Sequence, residues 1–210
     1  MLKILIVDDH AIVRRGLKQI LEGESGLAQV SEAQNGAEAL QMAREQAWDM
    51  LILDINLPGQ SGLEVLNDLH YQYPRLPILI MSMYAEDQYA VRVLKAGAAG
   101  YLNKQSAPEE LVKAIKKISA GGRYVSDSMA EVLAAHLHGG SEKPVQEILS
   151  DREFQVLILI ASGKTVSEIA EILRLSVKTI STFRSRILTK MNLKNNAELT
   201  YFALHNGLIE

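Results

Sequence analysis

Five polar side chains stand where apolar runs end. Lys3-Ile-Leu-Ile-Val7 closes in Asp8-Asp9, Met50-Leu-Ile-Leu53 closes in Asp54, Leu79-Ile-Met81 closes in Ser82, and Tyr101-Leu-Asn precedes Lys104. Short apolar runs closed by polar residues and separated by helical patterns read as buried parallel strands. Ligands of open α/β sheets bind at the carboxyl ends of such strands, so Asp8, Asp9, Asp54, Ser82 and Lys104 are expected at one edge. Three carboxylates gathered there require a cation, and a hard divalent ion such as Mg²⁺ suits an all-oxygen set. A lysine and a hydroxyl beside them suit the oxygens of a phosphoryl group. The chemistry this spacing implies is phosphorylation of an aspartate, Asp54.

The elements that must position these groups alternate. Strands are expected near 2–7, 27–33, 50–54, 77–82 and 99–102, and helices near 11–22, 36–47, 62–72, 86–96 and 107–120. Strict alternation implies a doubly wound, five-stranded parallel α/β sheet with helices on both faces. The helix at 107–120 carries its punctuation openly: Ser106 as expected N-cap, Pro108 near its start, Glu109 and Glu110 in the first turn, Gly121-Gly122 at the end. A short helix is expected within 123–138, capped by Ser126. Gly139-Gly-Ser-Glu-Lys-Pro144 then has linker composition. These features predict a first domain over 1–121, a linker with a short helix over 122–147, and a second domain over 148–210.

The second domain reads as all helical. Ser150-x-x-Glu153, Thr165-x-x-Glu168 and Asn195-x-x-Glu198 are capping boxes or close variants, and Ser176 caps a helix running to about Met191. Phe154, Leu157, Ile158, Ile169, Ile172, Leu173, Ile180, Ile187 and Met191 fall at helical spacing. Four short helices with a tight Leu175-Ser176 turn give a helix-turn-helix.

The formal net charge of −3 is unevenly spread. Residues 172–194 hold Arg174, Lys178, Arg184, Arg186, Lys190 and Lys194 and no acid. A local basic stretch in an acidic chain points to a polyanion partner, against the plainer reading of a solvated helix face. A hydrophobic content of 48% and a charged content of 22% fit a soluble globular protein, and no apolar run reaches the ~18 residues a membrane span needs. Met1-Leu-Lys leads straight into a strand without a signal-peptide pattern. The absence of cysteine removes disulfides, a thiol nucleophile and thiolate metal sites, which fits a cytoplasmic protein.

Val7-Asp8-Asp9, Leu53-Asp54-Ile-Asn-Leu-Pro58-Gly59 and Lys104 stand at the spacing of a response-regulator receiver, a flavodoxin-like fold. Leu149-Ser-Asp-Arg-Glu153, Glu168-Ile-Ala, Ser176-Val-Lys-Thr-Ile180, Lys190-Met, Asn195 and Glu198-Leu199 resemble the LuxR-type DNA-binding domain. Together they resemble the NarL/FixJ class of two-component transcription regulators over nearly the full chain. The resemblance implies that Asp54 accepts a phosphoryl group from a sensor histidine kinase or a small acyl phosphate. It implies Asp9, Asp54 and the backbone carbonyl of Asn56 as Mg²⁺ ligands, with Asp8 acting through water. Lys104 would pair with a phosphoryl oxygen. Ser82 and Tyr101 would form the switch pair, the ring of Tyr101 turning inward on phosphorylation. Phosphorylation is expected to favour a homodimer and binding to double-stranded promoter DNA, with RNA polymerase left open as a further partner. No enzymatic turnover is expected beyond self-phosphorylation from a donor and slow autodephosphorylation.

On the third helix of the second domain, Lys178, Thr179, Ser181, Thr182, Arg184 and Ser185 are expected to face DNA, with Lys178 and Lys190 on phosphates and Ser181, Thr182 and Ser185 on base edges. The last helix, with Leu199, Phe202 and Ala203 on one side, is a candidate dimer surface. The chain departs from the commonest pattern at Met83, where a small residue is usual, and at Phe183, where histidine is frequent. Two other readings are open. Asp54-Ile-Asn56 superficially resembles a phosphatase nucleophile loop of the haloacid-dehalogenase type, but Asn56 cannot donate a proton as the second aspartate there does. A receiver answering to a ligand or protein instead of phosphate would be expected to lose one of the five site residues. Trp48 reads as helix–sheet packing, His10 as a helix start, and His136 and His138 as surface or linker residues.

Overall fold

The computed structural model describes residues 1–24, 27–84, 86–138 and 148–209, with side chains described at all of these except 86–88, 90, 132 and 135–138. The glycine-rich linker and the boundary expected at Gly139–Pro144 lie outside the described residues, as do the side chains of His136 and His138. The chain divides into two compact units, 1–133 and 134–210.

In the first unit β1 (Leu2–Val7), β2 (Ala28–Ala33), β3 (Met50–Asp54), β4 (Ile78–Ser82) and β5 (Gly100–Asn103) form one parallel sheet in the order β2-β1-β3-β4-β5. Between them run α1 (Ala11–Gly23), α2 (Gly36–Glu45), α3 (Gly62–Gln72) and α4 (Glu86–Lys95), with α5 (Pro108–Ser119) following β5. Alternate strand residues Ile4, Ile6, Met50, Ile52, Leu79 and Met81 share a core with Leu17 and Leu21 of α1 and Leu111, Ile115 and Ile118 of α5. The intervening Leu5, Val7, Leu51, Leu53, Ile78 and Ile80 are equally buried, which is why these strands read as unbroken apolar runs. The order reverses between β1 and β3, so the crevice at their carboxyl ends is the ligand position such a sheet offers. Asp8 and Asp54 close those two strands.

Helix ends agree with their local chemistry. Ser61 and Glu64 form a full capping box at α3, and Asn35 caps α2. At α5 the N-cap is Ala107, with no side-chain cap bond, and not the expected Ser106; Pro108 at the start presets the first turn instead. Gly62 lies against the Asp54 backbone, where a Cβ would collide with the Asp54 carbonyl oxygen. Only glycine lets the start of α3 come so near the end of β3. Beyond α5, Tyr124 bridges to Gly100 of β5 and donates its hydroxyl to Glu110, and Ser126 caps α6 (Asp127–His138) through the Met129 N–H.

The second unit holds α7 (Asp151–Ala161), α8 (Val166–Leu173), α9 (Val177–Lys190) and α10 (Asn196–His205), with α9 and α10 packed on α7 and α8 on α9. Ser150/Glu153 and Thr165/Glu168 are full capping boxes. Asn195 caps α10, but Glu198 there accepts from Lys194 N–H, a variant of the box. Arg174 turns the chain from α8 to α9 at φ 52°. Phe154, Leu157, Ile169, Leu173, Ile180 and Ile187 are buried as their spacing predicts, while Ile172 is 43% exposed, because a helix of eight residues buries only one stripe.

Candidate functional site

The end of β1 delivers Asp8 and Asp9, the end of β3 delivers Asp54, and the turn after β5 delivers Lys104. All meet. Lys104 Nζ lies 2.6 Å from Asp8 Oδ2 and 2.7 Å from Asp54 Oδ2, with all three side chains almost fully buried. Ligand atoms of Asp8, Asp9, His10 and Asp54 lie within 4.8 Å of one another. Burial pushes the Asp54 carboxyl up, the Lys104 ammonium opposes that, and Asp8 adds to it; the net direction is upward. Burial lowers Lys104, but the two carboxylates outweigh it and hold the ammonium above its ordinary value. The lysine is therefore fixed as a cation between two acids.

Asp54 Oδ1 is buried without a hydrogen-bond partner. An orphaned oxygen beside two further carboxylates is the donor set a hard divalent cation requires, so the residues present fit Mg²⁺. Asn56 stands two residues past Asp54, half-buried in the loop that carries Pro58 and Gly59; Gly59 adopts φ 78°, a turn conformation suited to glycine.

Ser82 ends β4 fully buried, and its Oγ accepts from Tyr84 N–H at 3.4 Å. Tyr101 was expected to turn inward on phosphorylation, yet its ring is already fully buried, with the hydroxyl donating to the Tyr84 carbonyl at 2.6 Å. Asn103 Nδ2 donates to the same carbonyl, and the rings of Tyr84 and Tyr89 stack at 4.9 Å. The inward ring is held by this carbonyl and this stack. Met83, which stands where a small residue is usual, is 56% exposed.

One residue of the site escaped sequence reasoning, and another was read only as a helix start. Arg14 is buried in α1, its Nη1 donating to the Asp8 carbonyl at 2.7 Å and its Nε to Glu32 Oε2 at 3.0 Å. It thereby ties the start of α1 to the ends of β1 and β2. Its signal was available: Arg14, Leu17 and Leu21 occupy the inward stripe of α1, and a charge on an apolar stripe demands a partner. His10 is the N-cap of α1, as expected, but its Nδ1 also lies 2.7 Å from Asp9 and 3.2 Å from Asp8.

The basic helix α9 presents Lys178, Ser181, Thr182, Ser185 and Lys190 exposed, with Thr179 and Arg184 half-buried. Several of these groups are already engaged. Thr182 and Ser185 hydroxyls donate to the carbonyls of Lys178 and Ser181, leaving their lone pairs outward. Thr179 meets Ser176 in the cap, and Arg184 Nε donates to Asn196 Oδ1 at 2.6 Å. Lys190, expected on a phosphate, instead pairs at 2.6 Å with the buried Glu153. Of the candidate dimer residues, Leu199 and Ala203 are fully buried in the unit's core, while Tyr201 and Leu204 are the large exposed apolar residues of α10.

The profile of the response regulator receiver domain matches residues 4–116, and that of the bacterial regulatory proteins of the luxR family matches residues 147–203. The chain belongs to the two-component response regulators of the NarL/FixJ class. It is 36% identical over 209 residues to the response regulator UvrY of Escherichia coli K12, covering 99% of this chain and 96% of that protein. It is 36% identical over 215 residues to the response regulator GacA of Pseudomonas aeruginosa, covering 100% and 99%. Among solved structures, Salmonella typhimurium RcsB matches with a TM-score of 0.68 at 26% identity, over 100% of this chain and 98% of that one. An RcsB–DNA complex matches with a TM-score of 0.59 at 26% identity, over 100% and 99%. As a member of this class, the response regulator is a DNA-binding transcription regulator of a two-component system, and no helix among its described residues is long and apolar enough to cross a membrane.

Proposed function

We propose that this response regulator is switched in the cytoplasm by Mg²⁺-dependent phosphorylation of Asp54 by a sensor histidine kinase, and that phosphorylation favours dimerisation and promoter binding. The observation that carries the reading is Lys104 seated between Asp8 and Asp54 beside the orphaned Asp54 Oδ1. In the transfer an Asp54 carboxylate oxygen forms the new O–P bond while the P–N bond of the donor phosphohistidine breaks. The released imidazole nitrogen takes its proton from water. Lys104 holds an oxygen of the moving phosphoryl group, and catalysis is positioning and charge neutralisation. Mg²⁺, on Asp9, Asp54 and the Asn56 carbonyl with Asp8 through water, would neutralise charge on the phosphoryl oxygens. The phosphoryl group adds about −1.5 to −2 charges at a buried edge, which biases Ser82 and Tyr101 toward a second arrangement.

The domain limits that go with this reading are 1–121, 122–147 and 148–210, supported by the two matched segments. Its chemistry stops at self-phosphorylation and slow autodephosphorylation. In the second domain Lys178 meets phosphates while Ser181, Thr182 and Ser185 read base edges, with half-sites about 10 bp apart in a dimer. The likeness to an RcsB–DNA complex supports binding to DNA.

The test is intact mass after acyl phosphate and Mg²⁺, with and without EDTA. One added phosphoryl group is expected, absent with EDTA and absent in Asp54→Ala. Undiminished labelling of Asp54→Ala would remove the assignment. Sedimentation on the labelled protein checks the dimer: unchanged mass at concentrations where DNA binds would sink that part.

A further inference from the structure

A groove of the receiver lies at the opposite end of the sheet from Asp54. It is an open groove of about 640 Å³, lined by the end of α2 and the segment before β3 (Ala43, Arg44, Gln46, Ala47, Trp48) and by the segment before β4 (Tyr73, Pro74, Arg75, Leu76), with Arg44 and Arg75 exposed at its rim. Asp54 and Ser82 close the carboxyl ends of β3 and β4, whereas Trp48 and Leu76 precede their amino ends. Five strand residues at about 3.3 Å each put roughly 16 Å between the two places. The volume falls within the usual range of small-molecule sites, about 300–1,000 Å³.

The lining has a definite chemistry. Trp48 is half-buried, and its Nε1 already donates to the Met42 carbonyl at 3.0 Å. That bond fixes the indole and uses its one donor, so the ring offers the groove an apolar surface. Tyr73 is a second half-buried aromatic wall, and Ala43, Ala47 and Leu76 add apolar area. Two guanidiniums, Arg44 and Arg75, are the only charged groups in the lining, and neither has a hydrogen bond or ion pair to a described residue. Guanidinium forks recognise carboxylates and stack on planar groups. An aromatic slot bearing two uncompensated cations is complementary to a flat molecule with one anionic end.

We propose that this groove is a binding site for a small aromatic carboxylate, its ring against Trp48 and Tyr73 and its carboxylate on Arg44 and Arg75. The ligand bridges the segments before β3 and β4 and leaves the phosphorylation edge untouched, so the site stands independently of the Asp54 reading.

The chain has one tryptophan, so its indole N–H gives a single, site-specific signal in a nitrogen-15 correlation spectrum of the full-length protein. The probes are 2-naphthoate and its neutral counterpart 2-naphthamide. A saturable shift of that signal is expected with 2-naphthoate, with an affinity at least about tenfold above that of the amide, since even one of the two charge-assisted contacts contributes that much. In the Arg44→Gln/Arg75→Gln double variant the two probes should bind alike, while the remaining amide signals report an intact fold. Absence of a saturable shift with millimolar 2-naphthoate overturns the proposal. So does equal affinity for acid and amide in the parent, which would mark apolar adsorption only. A shift produced by an acidic aromatic peptide but not by 2-naphthoate would also overturn it, in favour of a protein partner.

Discussion

At the acidic edge of the receiver, three carboxylates keep side-chain exposures of 3%, 7% and 2%, and a lysine at 7% is wedged among them. On α9 the polar groups instead stand in solvent, and the hydroxyls of Thr182 and Ser185 are satisfied by their own helix. In the first region Lys104, from the turn after β5, is held between carboxylates at the ends of β1 and β3. In the second, the Thr182 and Ser185 bonds stay within one helix turn, while Arg184 and Lys190 at the flank reach Asn196 and Glu153. Buried charge must be compensated within the fold, and exposed charge need not be. A buried charged edge and an exposed polar face therefore respond differently to the same kind of substitution.

The largest expected effect comes from removing the cation of the buried edge. Lys104→Met leaves Asp8 and Asp54 facing each other, and such a loss costs about 3–5 kcal/mol. Thermal unfolding should show that loss in EDTA and its partial recovery on adding Mg²⁺. Recovery by Mg²⁺ separates charge compensation from packing; a variant as stable as the parent in EDTA would break the comparison.

Arg14→Met should act more weakly and more selectively. The Asp8 carbonyl loses its guanidinium, the acidic pair loses its anchor to Glu32, and Mg²⁺ affinity should fall about tenfold, as for partners of metal ligands generally. Calorimetric titration with Mg²⁺ measures this. Unchanged Mg²⁺ affinity with a lowered melting temperature would reduce Arg14 to a packing residue.

In the second unit, Lys190→Ala should lower stability by about 1 kcal/mol or less, since the lysine is 41% exposed. Burial works to raise Glu153, but the hydrogen bond from Lys190 and those from the Ser150 cap outweigh it and hold the carboxyl below its ordinary value. A folded-state carboxyl held low adds stability that is complete above the ordinary glutamate range and lost as pH falls through the lowered value. The gap between parent and variant should be open at neutral pH and close on acidification. Urea melts at several pH values read it; a gap that widens in acid would reverse the assignment.

Ser185→Ala should change stability by only a few tenths of a kcal/mol, as exposed positions do, while shifting the preferred base at one position of each half-site. Lys178→Ala is its control, weakening all sequences alike and lowering the salt slope by about one. A site selection returning the parental motif for Ser185→Ala would show that the face is not read there.

The strand-closing residues Asp8, Asp54 and Ser82 were legible because parallel strands buried on both faces are bounded by their first polar residue. The capping boxes at Ser150 and Thr165 were legible because they satisfy helix ends within four residues. Ser106, expected as the cap of α5, failed because Pro108 fixes the first turn regardless of a side-chain cap. Phosphorylation was expected to bring the Tyr101 ring inward, and the Tyr84 carbonyl already holds it there; that bond spans seventeen residues.

By itself, then, the sequence determined the alternating elements, the four-helix unit after them, and which residues reach the carboxyl edge, because all of these follow from local periodicity and punctuation. Tertiary structure alone decided the partners of the charges: Lys104 between two aspartates, Arg14 on the Asp8 carbonyl just past β1, and Lys190 on Glu153. The Lys190 pair spans 37 residues and the Lys104–Asp54 pair 50. Such pairings depend on which surfaces pack and how much water they exclude, and no spacing within a single helix or strand encodes that.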